Sequence, residues 1–383
     1  VRVLAVVSRF KWTHIDYLHA LSGNVDLLVA WSGAVHPRAI DQAAKEQLRL
    51  EAIGRVETDS REDVARRLSE LIGSFRPDVV HVLYYRHEEL VLLARELADE
   101  HVAVVCEIRD PLTTLSRAQP GSENWLLEAR AVSASDGQLL VSRALREYLE
   151  RAHVLDLRAT SMLVPHAFAR RNMGPLSEKL SASDGRVHIA LVGSAAPGPG
   201  YGRWYGDIIR TLVAQGLVVH TRFHELDGIS QDAYVALAEE LEDYHYEPKI
   251  PLRWDTLLSD ATSRYDLMGV FHELEAEHRN ESATLAVCMP TKAVSGWFHG
   301  AIPAVCTRHY GGLVELIEEH GIGFVVESVD DVGRVAADRA ALERAAAACR
   351  AMREQFTHEH QAARIEPFYR ALIEKRGETA RRP

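Results

Sequence analysis

The residues best suited to chemistry in this sequence lie where short apolar runs give way to loops. The clearest case is Gly193-Ser194-Ala195-Ala196-Pro197-Gly198-Pro199-Gly200-Tyr201-Gly202-Arg203, which follows Val187–Val192. Small residues there, including Gly193, Ser194, Gly200 and Gly202, let a diphosphate reach the backbone, and Arg203 supplies a neutralising guanidinium. A glycine-rich surface loop without a ligand would read the same. Near the start of the chain, Ser8-Arg9-Phe10-Lys11-Trp12-Thr13-His14-Ile15-Asp16 follows Val3–Val7. An unperturbed imidazole titrates near the pH at which proton transfer is useful, so His14 suits a general base; a helix-start histidine bonded to backbone or water is the rival reading. Tyr84-Tyr85-Arg86-His87 also ends an apolar run and reads as a stacking platform for a sugar or aromatic ligand, or as ordinary packing. Arg109-Asp110-Pro111 ends another, where a structural ion pair competes with a ligand role. His358 and His360, two positions apart, point to different sides of a helix and have no HExxH or paired-cysteine motif beside them. They read as solvated side chains, and no metal is expected.

Such loops need a scaffold that presents strand ends in a row. Apolar runs alternate with helix-period segments, the signature of βαβ units around a parallel sheet. In the first half, Val3–Val7, Val25–Ala30, Val79–Leu83, Val102–Ile108, Gln138–Val141 and Met162–Pro165 read as strands. Arg61–Phe75, Glu88–Glu100, Asn124–Val132 and Ser142–His153 read as helices, with Asp59 or Ser60 capping the first. The polar stretch 170–186, with Gly174, Pro175 and several serines, reads as a linker. The pattern then restarts: Val187–Val192, Leu217–Phe223, Leu267–Phe271, Ala304–Cys306 and Gly323–Val326 as strands, with helices near Trp204–Gln215, Gln231–Leu241, Lys292–Trp297 and Leu313–Glu319. Asp330–Arg364 is mostly helical, and Pro367 marks the first turn of a separate last helix. The expected division is a domain at 1–169, a linker at 170–186, a second domain at 187–355 and a terminal helical segment at 356–383.

With 383 residues, 47% hydrophobic and 26% charged, the chain is long and apolar enough for two globular cores. A formal net charge of −11 argues against a surface that binds nucleic acid by neutralising phosphates, and leaves room only for weak peripheral contact with a membrane. No apolar stretch approaches the roughly 18 residues of a membrane span, and the first residues lack a signal-peptide pattern. A cytoplasmic protein is expected. Cys106, Cys288, Cys306 and Cys349 are far apart, the first three within apolar runs, and read as reduced structural thiols.

A longer motif joins these pieces. Met289-Pro290-Thr291-Lys292-Ala293-Val294-Ser295-Gly296-Trp297-Phe298-His299-Gly300-Ala301-Ile302-Pro303, followed by Tyr310-Gly311-Gly312-Leu313-Val314-Glu315, resembles the donor segment of a GT-B glycosyltransferase, in the broad group around glycosyltransferase family 4. Pro290, Lys292, Gly300, Pro303, Gly311, Gly312 and Glu315 match that order. Arg76-Pro77-Asp78-Val79-Val80-His81, Ser135-Asp136-Gly137 with Val141-Ser142, Val164-Pro165-His166-Ala167 and Ser263-Arg264-Tyr265-Asp266 resemble further family segments, in the same sequence, over roughly residues 3 to 370.

The resemblance implies an α/β fold of two Rossmann-like parallel-sheet domains facing a cleft, with a C-terminal helix crossing back to the first domain. It implies a nucleoside-diphosphate sugar (UDP, GDP or dTDP) as donor substrate, no cofactor, and the hydroxyl of a small molecule, natural product or glycan as acceptor. Gly193, Ser194, Gly200, Gly202, Arg203, Lys292, Ser295, Gly311, Gly312 and Glu315 would then surround the donor, and Trp12, His14, Tyr85, Arg109 and Asp110 the acceptor. Departure of a nucleoside diphosphate builds negative charge on its β-phosphate, which a fixed cation in a water-poor site stabilises; Lys292 is the first candidate and Arg203 the second. His14 as general base belongs to inverting members. Retaining members carry two glutamates eight positions apart, and counting back from Gly300 those positions hold Val287 and Ser295. Ser295 can bond a ribose hydroxyl but lacks a carboxylate's two-bond capacity, so Glu281 or Glu315 takes over or the donor binds differently. The stereochemical outcome stays open. Two other readings keep the architecture: a non-hydrolysing sugar-nucleotide epimerase, and a nucleotide-sugar-binding homologue without catalysis. The arginine- and alanine-rich composition suits a high-GC bacterium.

Overall fold

A computed structural model of the chain describes all residues except 9, 11, 34–36, 55–57, 84–87, 196–203, 225–231, 248–255, 272–280 and 381–383. The chain forms two compact units. One joins Val1–Pro165 to His358–Pro383, and the other is His166–Thr357.

In the first unit the order is β1 (Arg2–Val7), α1 (Trp12–Ser22), β2 (Asp26–Ser32), α2 (Pro37–Lys45), β3 (Leu50–Gly54), α3 (Arg61–Phe75), β4 (Val79–Leu83), α4 (Glu88–Leu97), β5 (Ala103–Ile108), α5 (Leu112–Leu115), α6 (Glu123–Ala134), β6 (Gly137–Leu140), α7 (Arg143–His153) and β7 (Ser161–Leu163). Helix α3 is set by both ends. The Ser60 hydroxyl accepts the Asp63 N–H, and Arg76 stops the helix in the left-handed region at φ 49° with its N–H bonded to the Ile72 carbonyl. Asp78 then accepts the Arg2 N–H at 2.7 Å, which pins the start of β1 beside β4. The seven strands run parallel in the order β3-β2-β1-β4-β5-β6-β7, so the winding reverses between β1 and β4. Both β4 and β5 are buried along their whole length, as a central parallel strand requires.

The last helix, His358–Ala380, returns to this unit and buries Ala362, Ile365, Tyr369 and Leu372 in the core that also holds Ile15, Tyr17 and Leu18 of α1. Gly137 opens β6 because nothing larger fits: a Cβ there would lie 2.4 Å from Leu372 Cδ1 and 2.8 Å from the Phe368 ring. Pro367 does not begin a separate helix. It sits inside this 23-residue one, where the ring removes one backbone bond. Burial of Ala362 and Ile365 before it and Tyr369 and Leu372 after it holds one apolar stripe on the sheet across the break.

The second unit contains α8 (Ser181–Asp184), β8 (His188–Ser194), α9 (Gly206–Ala214), β9 (Val218–His224), α10 (Asp232–Glu240), β10 (Tyr244–Tyr246), α11 (Thr256–Ser263), β11 (Leu267–Val270), α12 (Glu281–Val287), α13 (Thr291–Ser295), β12 (Ala304–Thr307), α14 (Gly311–His320), β13 (Gly323–Val326), α15 (Val332–Ala337) and α16 (Arg339–Met352); the returning helix of the first unit is therefore α17. Six parallel strands run β10-β9-β8-β11-β12-β13, and the winding reverses between β8 and β11. Residues 170–186, expected as a linker, belong to this unit. The Gly174 and Ser177 N–H groups donate to the Ser259 and Ser263 hydroxyls, and the Leu180 N–H to the Arg264 carbonyl. The stretch buries few apolar side chains, and backbone bonds to α11 and the turn after it hold it in place instead. No described helix is long and apolar enough to cross a membrane.

Candidate functional site

In an open parallel sheet, ligands bind beyond the carboxyl ends of the strands where the winding reverses. In the second unit that point lies between β8 and β11, and three residues meet there. Gly193, next to last in β8, has φ +114°, a region closed to side chains. Its missing Cβ leaves the backbone beneath the stem of Lys292, whose Cδ lies 4.0 Å from where a Cβ would be. From the first turn of α13, Lys292 Nζ donates to the Tyr205 hydroxyl at 3.0 Å and to the Phe271 carbonyl, just past β11, at 3.4 Å. Tyr205 immediately precedes α9 and is buried. One lysine side chain thus spans the ends of both strands that flank the reversal, its stem beside Gly193 and its ammonium at the Phe271 carbonyl. That placement suits a doubly charged phosphate group, because the cation is fixed and the glycine lets an anion approach the main chain.

The remaining donor-side candidates divide. Gly311 and Gly312 open α14 directly after β12, at the same sheet edge, so the helix N-terminus faces the carboxyl ends of the strands. Glu315 lies one turn into α14 and is half-buried, and Ser295 is buried at the end of α13. Val287 is buried in α12, so no carboxylate occupies that family position. Gly200, Gly202 and Arg203 lie outside the described residues, as does Tyr85; Ser194 ends β8, Trp12 begins α1 and Glu281 begins α12, and their side chains are not described.

The first unit holds a second polar cluster, built on β4 and β5. His81 and Glu107 are polar residues inside otherwise apolar strands, both almost wholly buried. Glu107 Oε1 accepts the Arg109 Nε–H at 2.7 Å, with Arg109 Nη2 at 2.6 Å. Glu107 Oε2 lies 3.4 Å from His81 Nε2, and His81 Nδ1 is 2.8 Å from the Tyr369 hydroxyl of α17. Burial would raise the Glu107 carboxyl, but the Arg109 guanidinium and His81 outweigh it and hold the group well below the usual carboxylate range. Burial, with Glu107 beside it, holds the Tyr17 hydroxyl well above its ordinary value.

His14 and Arg109, expected on the acceptor side, lie near enough to His358, at the start of α17, for their charges to act on it. Burial first, then the charges of Arg109 and His14 acting against the attraction of Glu107, push the His358 imidazole down to about 3. His358 was read as solvated; it is buried, with its ring 5.7 Å from that of Tyr17. The reading failed because α1 covers the first turn of α17. Asp110 follows Arg109 and is half-buried, ahead of the short helix α5 that Glu128 anchors through the Thr113 N–H and hydroxyl. The four cysteines are free thiols, and Cys106, Cys306 and Cys349 are buried. Among the described residues, no three His, Cys, Asp or Glu side chains are grouped as metal ligands would be.

No protein-family model and no curated protein matches the chain. Solved structures do match. Anabaena HepE in complex with UDP aligns with a TM-score of 0.69 at 12% identity, covering 97% of this chain and 100% of that one. Sucrose-phosphate synthase from Thermosynechococcus elongatus gives 0.66 at 13% identity over 98% and 100%. The UDP-GlcNAc 2-epimerase of Neisseria meningitidis, bound to UDP-GlcNAc, gives 0.57 at 11% identity over 96% and 99%. The chain has the GT-B fold. With 97% of the chain aligned, the likeness extends over both sheets of this GT-B chain. The sequence reading assigns no site role to Tyr205, Phe271, Glu107 or Tyr369, nor to His81, which it quotes only as the end of a segment resembling the family. For Glu107 and His81 a signal existed, namely a charged or titratable residue within a strand that is otherwise apolar.

Proposed function

We propose that the protein is a glycosyltransferase that moves a sugar from a nucleoside-diphosphate sugar, of UDP, GDP or dTDP, to a hydroxyl of a small molecule, natural product or glycan. The observation that carries this reading is Lys292 at the winding reversal of the second unit, its stem beside Gly193 and its ammonium bonded to Tyr205 and the Phe271 carbonyl. In transfer, the bond from the anomeric carbon to the β-phosphate oxygen breaks and its electron pair stays on that oxygen. Lys292 stabilises the growing charge in place of a divalent cation, with the α14 N-terminus at Gly311 and Gly312 contributing partial positive charge. Arg203 would add a second cation from the loop after β8. Ser295 and Glu315 are the candidates for the ribose hydroxyls. In the first unit, Arg109 and Asp110 orient the acceptor, with Trp12 and Tyr85 offering aromatic faces. His14 takes the hydroxyl proton as the new bond to the anomeric carbon forms, the role a general base would hold in an inverting reaction.

The GT-B structures that resemble this chain include HepE in complex with UDP and in complex with UDP-glucose, which supports a nucleotide-sugar partner. The likeness to UDP-GlcNAc 2-epimerases motivates a second reading, epimerisation without an acceptor. Thermal melting with millimolar UDP, GDP and dTDP tests the first step, since a ligand bound only by the folded state raises the midpoint. A rise with one of them, and nucleotide release from the matching sugar donor that requires added acceptor, is the expected result. Conversion of the donor into a different sugar nucleotide without acceptor favours the epimerase, binding without turnover on a broad acceptor panel favours a binding protein, and no shift with any of the three overturns the donor site.

A further inference from the structure

We propose that Tyr205 is a positioning residue for Lys292, holding the ammonium where the diphosphate of the donor binds; this rests on the donor-site reading above. The Tyr205 hydroxyl accepts from Lys292 Nζ at 3.0 Å and donates to the Phe271 carbonyl at 3.0 Å. Lys292 Nζ reaches the same carbonyl at 3.4 Å, which closes a triangle in which each donor has an acceptor. The ammonium also lies 5.4 Å from the centroid of the Tyr205 ring.

The ring itself is fixed from behind. Tyr205 stacks on Phe223 at 5.1 Å, Phe223 packs on Tyr234 at 4.8 Å, and Trp204 covers Tyr234 at 4.8 Å. The Tyr205 N–H donates to the Tyr234 hydroxyl at 3.2 Å, so backbone and ring are both held. Gly206 permits the close turn, because a Cβ there would fall 2.1 Å from the Trp204 ring. A phenylalanine at 205 would fill the same space and need no polar partner. The buried hydroxyl therefore gains its use from what it touches, the tip of a long flexible lysine and a strand-end carbonyl. A lysine fixed before the ligand arrives loses less freedom on binding and presents its charge without rearrangement.

The test is a double-mutant cycle read by calorimetry with UDP, GDP and dTDP and with the matching nucleosides, on wild type, Tyr205→Phe, Lys292→Met and the double variant. Tyr205→Phe is expected to weaken the bound nucleoside diphosphate by about five- to tenfold, while leaving its nucleoside unaffected. In the Lys292→Met background the same change should alter affinity by less than about twofold, because the two residues act as one unit. The ratio of diphosphate to nucleoside affinity within each variant reads the effect even where stability falls. An unchanged ratio in Tyr205→Phe, or an equal loss in both backgrounds, overturns the role of Tyr205 alone. Wild type that binds none of the three diphosphates overturns the donor site itself, and is seen before any variant is compared.

Discussion

At the proposed donor site of the second unit, the Lys292 ammonium donates to the Tyr205 hydroxyl and the Phe271 carbonyl, beside a residue without a side chain, Gly193. Lys292→Ala should lower turnover by about tenfold or more, at least ~1.4 kcal/mol in the barrier, with the melting curve unchanged. Wild-type rates in that variant would remove Lys292 from the chemistry. Among the described residues, a Cβ at Gly193 would meet only Lys292 Cδ, at 4.0 Å, so the cost of Gly193→Ala comes from a backbone at φ +114°. About 1–3 kcal/mol of stability should be lost in urea unfolding. Lysine 292 was legible because it sits in a motif with its own punctuation, Pro290 before it and Gly300 after. Tyr205 was not, because its partner lies 87 positions along the chain and only the fold joins them. The same holds for His81 and Tyr369, 288 positions apart.

At the level of elements, the central strands were readable because burial on both faces demands continuous apolar runs, and β4 and β5 obey this apart from His81 and Glu107. Edge elements were less so. α2 and β3 carry too few apolar residues to stand out, and 170–186 has order that comes from bonds to α11 which no local pattern records. Packing of α17 on β6 yields a direct test. Gly137→Ala should destabilise the first unit by about 1–3 kcal/mol through overpacking, and Leu372→Ala in the same chain should recover part of the loss. Helix α4 offers a pH test. Glu88 in its first turn is raised to about 7 by burial and then by Glu128 and Glu89, against 4.5 for the free group. Between those values the folded chain binds a proton that the unfolded chain does not, so this group's contribution favours folding as pH falls through 7 and penalises it above. Glu88→Gln should raise stability at about pH 8 by up to ~3 kcal/mol, with the gain vanishing near 4.5. An advantage that persists at low pH would assign the effect to packing instead.

For the whole molecule, the proposed chemistry places a lysine where many transferases use a bound cation, so sugar transfer should survive excess EDTA; loss of activity restored by magnesium would refute it. The chain's path carries a further consequence. The first unit is made of two segments, and the second, His166–Thr357, is threaded between them. Its two ends are tied to each other: Phe168 pairs with Thr357, and the Phe168 N–H donates to the Phe356 carbonyl at 3.0 Å. A segment that leaves and re-enters at one spot, with its own sheet and its own core, is a cassette. Excised and expressed by itself, residues 166–357 should refold and still capture the nucleotide, whereas the host left without α17 would expose the apolar floor that Ile365 and Tyr369 cover and should precipitate.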